Sequence, residues 1–420
     1  MVTEEPEGER RMEFDEAAVL RAAHAGALDE LRGMLADNRE LVLRAAGEDG
    51  RSAFDVACWK GHADVVSFLI GVPGGVDINR TDNRGATPLY HASYNGHASI
   101  VDLLLSAPSV VSNRANNRGA TPLYAASHNG HVPIVDLLLS TPDIELNRAT
   151  NSGSTPIYVA SHNGHTAVVE RLLSTPAGEV AVNVGALSHN QTPLHAASYN
   201  GHAPIVDLLL SAPGIKANHT TNDGVTALHF GTLQGHASVV ALLLSAPGVE
   251  VDAAIPTGAT PLVLAAQRGH ASIARSLIRC GARSHNVPNL PAAYQPEAMA
   301  RSKGHAVIAD YLHDVHVAGG INKYRSEPRL QLLLLRALCQ QRRASAIDER
   351  AGEYTTAGAQ HHAKRRRLLY EWLFGAAPRP AAHDDDDDDA RAAPAPRLAG
   401  MPGGTDSGPL RIVLEYWWSP

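Results

Sequence analysis

Cysteine is scarce in this chain: three among 420 residues, Cys58, Cys280 and Cys339, scattered and odd in number. Such a set suggests neither a disulfide framework nor a thiolate metal cluster, and points to a reducing compartment. Aromatic residues make up only 5%, so a core must be packed mainly with Leu, Val and Ala. No apolar run approaches the ~20 residues that cross a bilayer, Leu332 to Leu335 being far too short. The charged opening MVTEEPEGERRMEF has no apolar centre for secretion and reads as a flexible tail over 1–13. Chemical motifs are missing too: no Gly-Lys-Ser/Thr phosphate loop, dinucleotide fingerprint, Cys-x-x-Cys or His-Glu-x-x-His. The sequence gives no reason to expect an enzyme, a cofactor, a metal or a membrane partner.

What is present is a repeat. The stretch TPLYHASYNGHASIVDLLLSAPSVVSNRAN from Thr87 to Asn116 returns at Thr121, Thr155, Thr192, Thr226 and Thr260, spaced 34, 34, 37, 34 and 34 residues apart. A period in this range, carrying two short helical patterns and a turn, marks a solenoid whose units touch only their neighbours. Thr87-Pro88, Thr121-Pro122 and Thr155-Pro156 each offer a capping hydroxyl and the residue suited to a first helical position. Ala92-Ser93, Ala126-Ser127, Ala160-Ser161 and Ala197-Ser198 keep bulk low where helices must approach. Gly-His pairs from Gly96-His97 to Gly269-His270 then break the helix and start a second, whose stripe in the first clear unit is Ile100, Val101, Leu104 and Leu105. Gly26 and Gly61 extend the register backwards and Gly304 extends it forwards, which makes nine candidate units.

These units resemble ankyrin repeats, whose pattern Thr-Pro-Leu-His, Ala-Ala, Gly-His, Val-Val, Leu-Leu is matched almost in full from Thr192 to Leu210. The resemblance covers about residues 14–316 and implies a mainly α fold: a solenoid of paired antiparallel helices with hairpin fingers, binding other proteins through its concave side. Tyr90, Tyr124 and Tyr158 depart from the family histidine, and the 37-residue step puts one finger's shape in question.

The family's contact surface lies on the first helix and the hairpin tips. Carried onto this chain, it gives Trp59 and Lys60, Tyr94 and Asn95, His128 and Asn129, His162 and Asn163, Tyr199 and Asn200, with Arg84 and Arg118 at the tips. Aromatic residues give rigid contact area at low entropic cost, and asparagine can bond an extended backbone. The tip arginines would steer an acidic partner segment, although the chain's net charge is −7. That acidic balance, without a continuous basic groove, argues against nucleic acid. The Gly-His histidines cannot share a zinc ion, because helices stack about 8 to 10 Å apart and zinc needs donors near 2 Å. Each is expected to bond turn backbone beside its glycine.

Beyond the repeats, two helical stripes are expected within 317–374: Pro328 to Ala344, and His361 to Phe374. A Pro/Ala/Asp-rich linker over 375–408 carries Asp384 to Asp389, a solvated run rather than a calcium loop. The apolar end over 409–420 offers a second contact through Ile412, Val413, Tyr416 and Trp417. LRALCQQRR at Leu335 to Arg343, with PLRIVLEYW at the end, loosely resembles a SOCS box at too long a spacing. That resemblance would imply a ubiquitin-ligase substrate adaptor, an alternative beside a plain binding scaffold or a self-associating spacer. The default compartment is cytoplasmic, with Lys364-Arg365-Arg366-Arg367 as the signal for a nuclear alternative.

Overall fold

The computed structural model describes residues 15–175, 180–186 and 189–321, all within one compact unit, Met1–Ile321. The tail over 1–13, the helical stripes after residue 327, Cys339, the Lys364 to Arg367 cluster, the aspartate linker and the apolar end lie outside the described residues.

Each unit is a pair of short helices. Pro88–Asn95 is followed by Ala98–Leu105, Pro122–Asn129 by Val132–Leu139, Pro156–Asn163 by Thr166–Leu173, and Pro193–Asn200 by Ala203–Ser211. Ala227–Gln234 with Ala237–Ser245 and Pro261–Arg268 with Ala271–Arg279 continue the series. Glu16–Ala25 with Leu28–Asp37 and Ala53–Lys60 with Ala63–Ile70 precede it, and Pro296–Ser302 with Ala306–Val317 follows it. The helices are mostly eight or nine residues long because both ends are fixed. The Thr87 hydroxyl accepts from the Tyr90 amide at 3.1 Å, Pro88 occupies the first position, and Gly96 ends the helix at φ 84°.

First helices pack on the first helices of neighbouring units and second helices on second, giving a mainly helical stack without a sheet among the described residues. Between the first helices the fully buried Ala92, Ala126, Ala160 and Ala197 leave room for close approach. Ile100, Val101 and Leu104 are buried, with Ile134, Val135 and Leu138 in the same places one unit on, while Leu105 is only half covered. At ~1.5 to 3 kcal/mol for each buried aliphatic side chain, this apolar layer is the main stabilising term.

The fingers are tight turns rather than ribbons. Asp82, Asn116 and Thr150 each donate a backbone N–H to the carbonyl four residues on, Ala86, Ala120 and Ser154, at 3.0 Å. The only bridges among the described residues are the isolated pairs Ala46 with Ser52 and Ala186 with Gln191, the second lying in the 37-residue step.

Candidate partner-binding surface

The site begins at the last turn of each first helix. The residue two before each glycine is exposed or half-buried, and its carbonyl faces the following unit. That carbonyl accepts the Nε2 hydrogen of the next unit's Gly-His imidazole: Trp59 from His97 at 3.0 Å, Tyr94 from His131 at 3.1 Å, His128 from His165 at 2.9 Å, His162 from His202 at 3.1 Å and Tyr199 from His236 at 3.0 Å. His62, His270 and His305 repeat the bond on His24, Leu233 and Gln267. The expected bond beside the histidine's own glycine is thus replaced by a tie to the preceding unit. The ring lies against that unit's glycine, which is why the glycine has no room for a Cβ: one built on Gly130 would sit 2.5 Å from His165 Nδ1.

The paired asparagines are drawn into the same joints. Asn129 Nδ2 donates to the Tyr94 carbonyl at 2.8 Å, Asn163 to that of His128 at 2.8 Å and Asn200 to that of His162 at 3.2 Å. Asn95 turns back to His91 in its own helix at 2.8 Å. What the stripe presents outward is therefore mostly aromatic surface. Tyr94 is 43% exposed and stacks between Tyr90 and the next unit's His128, both rings at 6.2 Å and within 24° of parallel. Tyr124 lies 6.3 Å from His128, and Tyr158 lies 6.4 Å from His162 and nearly parallel to it. Farther along, Tyr199 meets Phe230 edge-on at 5.7 Å. At the other end Trp59 is flanked by two cations, Lys60 at 4.2 Å and Arg51 at 4.8 Å from the ring centre.

Tyr90, Tyr124 and Tyr158 belong to this surface, although the sequence marks them only as departures from a pattern. Where the histidine is kept, at His195 and His229, its Nδ1 accepts from the capping threonine's amide and hydroxyl and the ring is buried. A phenol cannot close that cap in the same way. The three tyrosines are half-buried beside the outer rings, and burial raises their pKa values, so they stay neutral. Burial, with His202 and His128 nearby, lowers that of His162.

The structure brings Tyr94, Arg118 and His128 together in one cleft of about 440 Å³, with Tyr90, Tyr124 and Ser152 also on its walls. Arg84 stands exposed on the preceding tip, and among the described residues neither Arg84 nor Arg118 forms an ion pair. Arg114 and Arg148 serve the stack instead, donating to the connector carbonyls of Asn79 and Asn113 at 3.0 Å. No aspartate or glutamate occurs from Asn83 to His97, Asn113 to His131, Asn147 to His165 or Asn183 to His202. The carboxylates of these units include Asp102, Asp136, Glu170 and Asp207, all exposed on second helices. The two sides of the stack thus differ in charge. Among the described residues no group of three His, Cys, Asp or Glu side chains could hold a metal ion.

The sequence model of ankyrin repeats, built on three copies, matches residues 56–150, 141–221, 180–255 and 210–289, together more than half of the chain. The chain belongs to the ankyrin repeat family. Among curated proteins it is similar to inversin of Danio rerio, 41% identical over 63 residues, which are 15% of this chain and 6% of that protein. It also resembles zinc finger CCCH domain-containing protein 50 of Oryza sativa subsp. japonica, 37% identical over 106 residues, 22% of this chain and 16% of the relative. A third is the 26S proteasome non-ATPase regulatory subunit 10 of Mus musculus, 35% identical over 70 residues, 17% and 29% of the two chains. The chain covers less than a third of the length of each of these relatives.

Proposed function

We propose that this ankyrin repeat chain is a non-enzymatic scaffold whose first-helix face and finger tips hold an acidic, extended segment of a partner protein. The ankyrin fold supports an interaction role in general. The observation that carries the specific reading is the separation of charge: Arg84 and Arg118 stand exposed on two successive tips, no carboxylate lies in 83–97, 113–131, 147–165 or 183–202, and Asp102, Asp136, Glu170 and Asp207 are exposed on second helices. Rigid aromatic rings beside isolated guanidinium groups suit a segment that brings both apolar contact and negative charge. Nine helix pairs, from Glu16–Ala25 to Ala306–Val317, are counted as nine repeats in this reading. Among the described residues no helix is long and apolar enough to cross a membrane. The compartment proposed is the cytoplasm.

The test is capture of partners by the full chain and by a variant with Tyr94, His128, His162 and Tyr199 changed to alanine. The backbone carbonyls that carry the stack remain in that variant, so it should fold, as circular dichroism can verify. Loss of the captured partners is expected; an unchanged set would refute the surface.

A further inference from the structure

The proposed surface also has a period, and the period constrains what can lie on it. Tyr90, Tyr124 and Tyr158 occupy one position in three successive units, and Arg84 and Arg118 occupy one tip position in two of them, with neutral Ser152 in the third. First helices stack about 8 to 10 Å apart. An extended chain in the β conformation returns a side chain to the same face about every 6.7 Å, which falls out of step after one unit. A polyproline II chain has three residues per turn and rises ~3.1 Å for each, so it returns to the same face about every 9.3 Å. Only the second spacing matches the stack. Its fixed backbone angles also leave little conformational entropy to lose on binding, and aromatic-lined grooves suit its ridges.

Resting on the surface proposed above, we infer that the partner segment binds as a left-handed polyproline II helix, with two acidic side chains three residues apart. One acid faces Arg84 and the other faces Arg118. The next residue in that register, opposite Ser152, is uncharged. The residues between the acids lie against Tyr90, Tyr94 and Tyr124, where proline rings or aliphatic chains fit the ring faces. The cleft at Tyr94, Arg118 and His128 is then the seat of the second acid: it holds a guanidinium, neutral phenols and a hydroxyl. A charge-assisted bond from Arg118 to a carboxylate is the strongest contact these groups can make.

The experiment uses the full chain and labelled proline-rich peptides of about nine residues, long enough to span three units of the stack. Each carries two glutamates, spaced two, three or four residues apart, and binding is read by fluorescence anisotropy at low ionic strength. The three-residue spacing is expected to bind about tenfold more tightly than the other two, the difference made by one charge-assisted hydrogen bond. Arg118→Ala should erase that preference, and so should Arg84→Ala; both residues are exposed at tips and neither should affect folding. Equal affinity for all three spacings overturns the inference. So does failure of all three peptides to bind, and in that case a partner still lost from the quadruple alanine variant would leave the surface itself in place.

Discussion

At the scale of single residues, the Gly-His joint combines two separate demands on one glycine. Gly130 has φ 75° and a Cβ there would meet the His165 ring, whereas Gly304 has φ 78° and nothing within 4 Å. Gly304→Ala should therefore cost only the left-handed backbone penalty, about 1 to 2 kcal/mol. Gly130→Ala should cost that and the displaced inter-unit hydrogen bond, roughly 1 kcal/mol more; denaturant melts of the two variants measure the difference. The serines stacked beside the buried alanines invite the opposite change. Ser93, Ser127, Ser161 and Ser198 are fully buried and their hydroxyls have no hydrogen-bond partner among the described residues. Replacement of any one by alanine should leave stability unchanged or raise it by up to about 1 kcal/mol. Titration acts at this scale as well. Burial lowers the pKa values of His195 and His229 to about 4. The unfolded chain then binds more protons than the native one between that value and the ordinary 6.5. Their contribution is complete above pH 6.5 and is lost as the pH falls toward 4, on the order of 3 kcal/mol for each. Asp55, raised by burial to about 6, works in the other sense, gaining stability as it protonates below that pH. The two histidines outweigh it, so the melting temperature should fall between pH 7.5 and pH 5. His229→Gln, which keeps an acceptor at the third helical position for the cap, should reduce that slope.

Between elements, the connectors are joined by a second series of side chains. Asn113 Nδ2 donates to the Asp143 carbonyl at 2.7 Å, and its Oδ1 accepts from the Glu145 amide at 2.9 Å. Asn79 makes the same pair of bonds to Ser109 and Val111, and Asn218 to Gly248 and Glu250. Asn113→Ala should cost about 1 to 2 kcal/mol through the backbone groups it leaves unmatched, and hydrogen exchange at Glu145 should accelerate more than at the helix amides. Helices were legible in the sequence because capping threonine, first-turn proline and terminal glycine act within eight or nine residues. The Gly-His rings were legible only as turn residues, and nothing local marks the partners of Asn79 and Asn113, since each bonds a group 30 to 40 residues away. Which unit a side chain reaches depends on stacking that no local pattern encodes. Of the expected surface, Tyr94, Arg118 and His128 do meet in one cleft, whereas the amides of Asn129 and Asn163 hold units together; Tyr90 and Tyr124 could have been picked out from their own 34-residue recurrence.

For the whole molecule, the uneven distribution of charge predicts how association responds to salt. The chain as a whole is acidic, with net charge −7, so an acidic partner must be drawn by local arginines against a repulsive background. Raising ionic strength from about 0.01 to 0.15 M shortens the screening length from roughly 30 to 8 Å. The association rate with a captured partner should change across that range, while dissociation should respond chiefly to loss of Tyr94 or His128; stopped-flow measurements separate the two. The imidazole ties have a bearing on ancestry. Each internal unit brings the ring that locks it to its predecessor and the glycine recess that receives the ring of its successor, so an internal unit is complementary to a copy of itself. A tandem duplication of about 34 codons in such a gene would yield a longer stack with every joint already complete, and no compensating substitution would be needed for the new copy to fit.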